Sequence, residues 1–137
     1  MTDLAAVLAG HHEPGVYVFH PPFDPEDVQR TVEDAGWRFG YVDGRLRTGK
    51  VEVLTAIGEA LGFPDHYGRN LDALADCLSD LSAVGDRSVL LWDGWGVLAR
   101  ADARTFRIVV ELLGERSDAV TTLLRGEGPD ISLPALD

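Results

Sequence analysis

Residues 66–81 read HYGRNLDALADCLSDL and set aspartates at 72, 76 and 80, each four residues after the last. At about 100° per residue, that spacing lines the three carboxylates along one side of a helix, with Leu71, Leu74, Leu78 and Leu81 on the other. Asn70 is a good N-cap for such a helix over 71–81. Asp72, at the second helical position, gains from the positive helix end, and Asp76, one turn further in, gains less. Acids four apart repel by roughly 0.2–0.5 kcal/mol per pair, so the column costs the helix something. It is either the solvated face of an acidic protein or a surface kept for a cationic partner, and pattern alone favours the solvated face. The preceding loop, PDHYGRN, brings flat rings (His66 and Tyr67) and a flexible Gly68 beside these acids.

The flanking segments set this helix in an alternating chain. Upstream, KVEVLTAIGEAL (50–61) predicts a helix with Val51, Leu54, Ile57 or Gly58, and Leu61 inward, closed by Gly62 and Pro64. WRFGYV (37–42) reads as a strand turned by Asp43-Gly44. Before it, Asp24 as N-cap, Pro25 at the first helical position and the acids Glu26 and Asp27 open a helix whose inward stripe is Val28, Val32 and Ala35, stopped at Gly36. GVYVF (15–19) reads as a buried strand, and residues 1–13 as a short apolar-rich stretch broken by HHEPG. Downstream, SVLLW (88–92) is a strand apolar enough to be covered on both faces, 101–115 a helix, and AVTTLL (119–124) a last strand. The tail RGEGPDISLPALD reads as peripheral. Strands alternating with helices predict an α/β layered fold, a small, mainly parallel sheet of about four strands packed with helices. No repeat or linker divides the chain, so one domain over 1–137 is expected.

Composition narrows the function classes. The chain has 137 residues, 45% of them apolar, with a net charge of −11 and a pI near 4.6. Such an excess of acid argues against non-specific binding to nucleic acid or an anionic membrane surface and is compatible with a basic protein partner or simply with solubility. Cys77 is the only cysteine, which leaves no internal disulfide, and it reads as a small packed residue. The opening MTDLAAVLAG lacks a cationic start, and no apolar run approaches a membrane span, so a cytoplasmic setting is expected. His11, His12, His20 and His66 show no ligand spacing with the acids, and neither a metal nor a cofactor is expected. Trp37, Trp92 and Trp95 read as core. Arg100, Arg104 and Arg107 form a stripe at helical spacing, read as a solvated face with Arg107 near Glu111.

Tyr67, Gly68, Asn70, Leu71, Asp72, Ala73, Leu74, Asp76 and Cys77 together resemble the central motif of the barstar family, inhibitors of barnase-type bacterial ribonucleases. VLLW (89–92) and VVELLGERSDAV (109–120) resemble that family's next strand and its last helix entering its last strand. The resemblance covers about residues 38–125 and leaves 1–37 as an N-terminal βα extension, which could extend the sheet, widen the interface or mediate dimers. It implies a protein that is not an enzyme, plugging the active site of a secreted, guanyl-preferring ribonuclease, with no cofactor, as a monomer or weak homodimer. Asp76 would take the place of the substrate phosphate, Asp72 would bond the cleft, and Glu111 would add charge from the later helix. Gly68, Asn70 and Leu71 would present backbone and close packing. His66 stands where the family has an aromatic and could stack on a ring of the enzyme, beside Tyr67. Ala75 and Leu81 stand where the family has tryptophans, so those contacts are lost or replaced.

Three other readings compete. GRLRTGKV (44–51) falls one residue short of a phosphate-binding G-x-x-x-x-G-K-[ST] loop, with Val51 where a hydroxyl should reach magnesium. Asp72, Asp76 and Glu111 as the paired carboxylates of a hydrolase would need two acids oppositely tuned across a cleft, which a convex solvated face does not offer. A barstar-like domain serving as an adaptor or regulator would bind a partner that is not a nuclease.

Overall fold

The computed structural model describes residues 3–137 and places every predicted strand in one five-stranded sheet. In chain order the elements are α1 (Leu4–Leu8), β1 (Val16–Phe19), α2 (Pro25–Asp34), β2 (Arg38–Asp43), α3 (Lys50–Leu61), α4 (Leu71–Val84), β3 (Ser88–Asp93), α5 (Gly96–Ala101), α6 (Ala103–Glu115), β4 (Val120–Arg125) and β5 (Ala135–Leu136), with a 3-10 turn at Gly44–Leu46. The sheet order is β2-β3-β4-β1-β5, and every neighbouring pair is parallel. Parallel strands need crossovers; those joining β1 to β4 are helices that cover both faces, and irregular chain at 126–134 carries β4 over β1 to β5.

Side-chain alternation divides the core in two. Leu90 and Trp92 of β3 join α3, α4, α5 and α6 on one face, whereas Val89 and Leu91 join α1 and α2 on the other. All five residues from Ser88 to Trp92 are buried, as a strand covered on both sides requires. The connections from β2 through β3 to β4 step one strand at a time across the α3–α6 face. The β1–α2–β2 connection runs the opposite way across the other face. Reversed travel on the opposite face is what the common right hand of β-α-β crossovers demands.

Several expectations need correction. The tail is not peripheral: Ala135–Leu136 pairs with β1 as a fifth strand, Leu136 is fully buried, and Ile131 and Leu133 pack against the core. The expected helix at 101–115 begins at Ala103, and a separate helix, α5, precedes it. Val51 and Ala35 face solvent, and Val53 and Ala56 take the inward positions on α3. Asp24 occupies the N-cap of α2 without a side-chain capping bond. Among the ion pairs of the described residues there is none between Arg107 and Glu111. Trp92 and Trp95 are buried as expected, and Trp37 is half-exposed under the Arg87 guanidinium, 5.4 Å from its ring centroid. Of the three roles open to the N-terminal extension, the sheet takes the first: β1 lies between β4 and β5 and removes what would be a bare β4 edge.

Candidate partner-binding site

α4 carries the site because its two sides differ in chemistry. Leu74 and Leu78 are fully buried, Leu71 and Leu81 pack at the margin of the same core, and Asp72, Asp76 and Asp80 are exposed. The helix starts where the sequence says it should. Asn70 has extended backbone, and its Oδ1 accepts the Ala73 N–H at 2.8 Å, satisfying one of the orphan donors of the first turn. The helix runs past the expected end at 81 to Val84, where Gly85 caps it with φ +86, a conformation an L side chain resists. No side-chain partner in the protein ties down the Asp72, Asp76 or Asp80 carboxylates among the hydrogen bonds and ion pairs of the described residues. Cys77 is half-buried beside them. Burial raises its thiol pKa first, and the carboxylates of Asp80 and Asp76 add to that, so the thiol stays protonated and poorly nucleophilic.

The loop ahead of α4 is tightly built. The Tyr67 N–H donates to the Pro64 carbonyl at 2.9 Å, and Asn70 Nδ2 reaches back to the Gly68 carbonyl at 3.4 Å. Arg69 between them has φ +53, the one non-glycine residue with positive φ among the described residues. A left-handed arginine costs roughly 1 kcal/mol and survives only where its surroundings leave no alternative. His66 and Gly68 are exposed beside the acids. The Tyr67 ring instead turns inward, edge-on to Phe63 with centroids 5.0 Å apart, and its hydroxyl is buried without a partner. Burial pushes its pKa up to about 12.

Of the remaining expected residues, Ala75 is half-buried on the flank of α4, where a side chain as small as alanine leaves the helix surface low. Glu111 is exposed on α6, the helix packed beside α4, so the structure brings the two acid-bearing helices together. Among the described residues no group of three or more His, Cys, Asp or Glu is placed to hold a metal, and no helix is long and apolar enough to cross a membrane.

A second polar cluster was not foreseen. Asp93 and Arg125 end adjacent strands in register, and the Arg125 guanidinium clasps the Asp93 carboxylate at 2.6 and 2.9 Å. The same guanidinium donates to the carbonyls of Pro21 and Phe23, at 3.1 and 2.6 Å, and Tyr41 donates to Asp93 at 2.8 Å. An acid and a base each closing an apolar strand were the available signal. Both oxygens of the Asp93 carboxylate are thus engaged within the protein.

The family model for barstar, the barnase inhibitor, matches residues 37–132. The chain belongs to the barstar family. The matched span contains β2 to β4, the 66–81 motif and Glu111, and it leaves α1, β1, α2 and β5 outside. No curated protein matches the chain. Among solved structures it resembles the Aeropyrum pernix ORC2 protein, from a structure of its ADPNP-ADP complexes, with a TM-score of 0.65 at 16% identity over 90% of this chain and 38% of that one. It also resembles a chain of Drosophila ORC bound to DNA, with a TM-score of 0.63 at 15% identity over 90% of this chain and 37% of that one. At that identity the likeness is one of fold. This barstar-family chain therefore carries its motif helix on a five-stranded parallel sheet and spans under two-fifths of the ORC chains it resembles.

Proposed function

We propose that this barstar-family protein inhibits a secreted, guanyl-preferring bacterial ribonuclease by filling its active site with α4 and the 66–70 loop, and that it is not itself an enzyme. The observation that carries the reading is the exposed, internally unpartnered column of Asp72, Asp76 and Asp80 on a helix whose other side is locked into the core. A ribonuclease cleft is cationic because it must stabilise phosphate, and a carboxylate fixed on a rigid helix exploits the same donors. Asp76, at the middle of the column, takes the phosphate position. Asp72 and Glu111 bond the rim of the cleft, and His66, Gly68, Asn70, Leu71 and Ala75 supply close packing. An inhibitor of this kind acts in the cytoplasm of the cell that makes the nuclease.

Mixing the protein with a panel of barnase-type ribonucleases and following RNA cleavage tests the reading. Stoichiometric loss of cleavage for at least one enzyme supports it. Undiminished cleavage by all of them, with stable capture of a partner that is not a nuclease, establishes the adaptor reading instead.

A further inference from the structure

The ring of Tyr67 occupies a notch that α3 provides. A Cβ on Gly58 would stand 2.8 Å from the Cδ2 and Cε2 atoms of that ring, closer than side chains tolerate, so only glycine leaves room. Phe63 meets the ring edge-on, and the Phe63 N–H donates to the Gly58 carbonyl at 2.9 Å, fixing the far wall. The ring is thereby seated between Gly58 of α3 and Phe63, and its hydroxyl is buried without a hydrogen-bond partner among the described residues. The neighbouring His66, Gly68 and Asp72 are exposed. The strained Arg69 backbone lies two residues further on, held between Tyr67 on one side and the Asn70 cap on the other.

We propose that Tyr67 is a positioning residue: seated in the Gly58 notch, it fixes the 64–70 loop in the shape that the ribonuclease meets, and it does not itself contact the enzyme. This rests on the inhibitor reading above. It reassigns a side chain that the family motif alone would place in the interface. A ring that orders the loop removes conformational freedom before binding, so the complex forms without the cost of ordering that segment. Because the ring and not the hydroxyl does this, phenylalanine should serve as well as tyrosine.

The test compares Tyr67→Phe, Tyr67→Leu and Asp76→Ala with the wild type in two measurements, inhibition of a barnase-type ribonuclease and amide hydrogen exchange of the uncomplexed protein. Tyr67→Phe should inhibit within about twofold of wild type with loop exchange unchanged. Tyr67→Leu should weaken inhibition by roughly tenfold or more and speed exchange of the Tyr67 and Ala73 amides by a similar factor, through local opening of the loop. Asp76→Ala should weaken inhibition with exchange unchanged. Loss of inhibition in Tyr67→Phe, or weakened inhibition in Tyr67→Leu with unchanged exchange, would overturn the positioning role, since either marks direct contact. Faster exchange with inhibition intact would overturn it too. A wild type that inhibits no ribonuclease would strike the inhibitor reading, whereas unchanged exchange in Tyr67→Leu strikes the positioning role alone.

Discussion

Asp76 has a like charge one turn away on each side, Asp72 and Asp80, and Asp80 has only Asp76. Removing Asp76 therefore relieves two repulsions of roughly 0.2–0.5 kcal/mol each, and removing Asp80 relieves one. Asp76→Ala should raise the urea midpoint slightly and Asp80→Ala by less. A folded state weakened by Asp76→Ala would mean that the carboxylate has an internal partner. The same charges govern Cys77. Burial, then Asp80 and Asp76, hold its thiol above the usual range, so alkylation by iodoacetamide should be slow near neutral pH. In the double variant Asp76→Asn, Asp80→Asn it should speed up, with only the burial effect left. Equal rates would show that the column does not reach the sulfur.

At the scale of the element, the Asn70 cap sets where α4 begins. Asn70→Ala should cost about 1 kcal/mol in urea unfolding, the usual worth of such a cap, and Asn70→Asp should preserve most of it. α4 was legible because cap, leucine stripe and acid column agree with one period and one start. Its last turn was not, because the stop depends on Gly85 adopting a left-handed backbone four residues beyond the last leucine of the stripe. On α3 the apolar spacing points Val51 inward, yet it lies exposed in the first turn, and the buried stripe starts at Val53. α5 has six residues, too few to show a period, and β5 has two, paired with β1 more than a hundred residues away in sequence, of which only Leu136 is buried. The Gly58 notch could not be read either: glycine in a helix pattern says little until the ring opposite it is known.

At the scale of the molecule, the tail and the extension are one structural unit around β1. Leu136→Ala should destabilise by about 2–5 kcal/mol, as for other fully buried leucines, and a shift near zero would show the fifth strand to be dispensable. The cluster at the ends of the strands adds a pH dependence. Burial first, and the bond to Asp93 second, raise the Tyr41 pKa from 10 to about 12. The folded state holds that proton more tightly than the unfolded chain does, so the contribution is complete below pH 10 and is lost as pH climbs to about 12. Urea midpoints taken on either side of this window should fall less in Tyr41→Phe than in wild type. An identical fall would place the alkaline limb elsewhere, and Tyr67, raised in the same direction, is the next group to replace.

The extension also bears on recognition. α1 and α2 lie on the sheet face opposite α4, so under the proposed inhibition a nuclease seated on the acid column would not reach those two helices. The proposed inhibition requires the Asp76 carboxylate to stand in for a substrate phosphate. The most direct measurement is calorimetric titration of a barnase-type ribonuclease with the protein in the presence of increasing guanosine 3′-phosphate. If Asp76 takes the phosphate position, the apparent Kd rises in proportion to the nucleotide for wild type and for Asp80→Ala. Tight binding that the nucleotide leaves unchanged would contradict it.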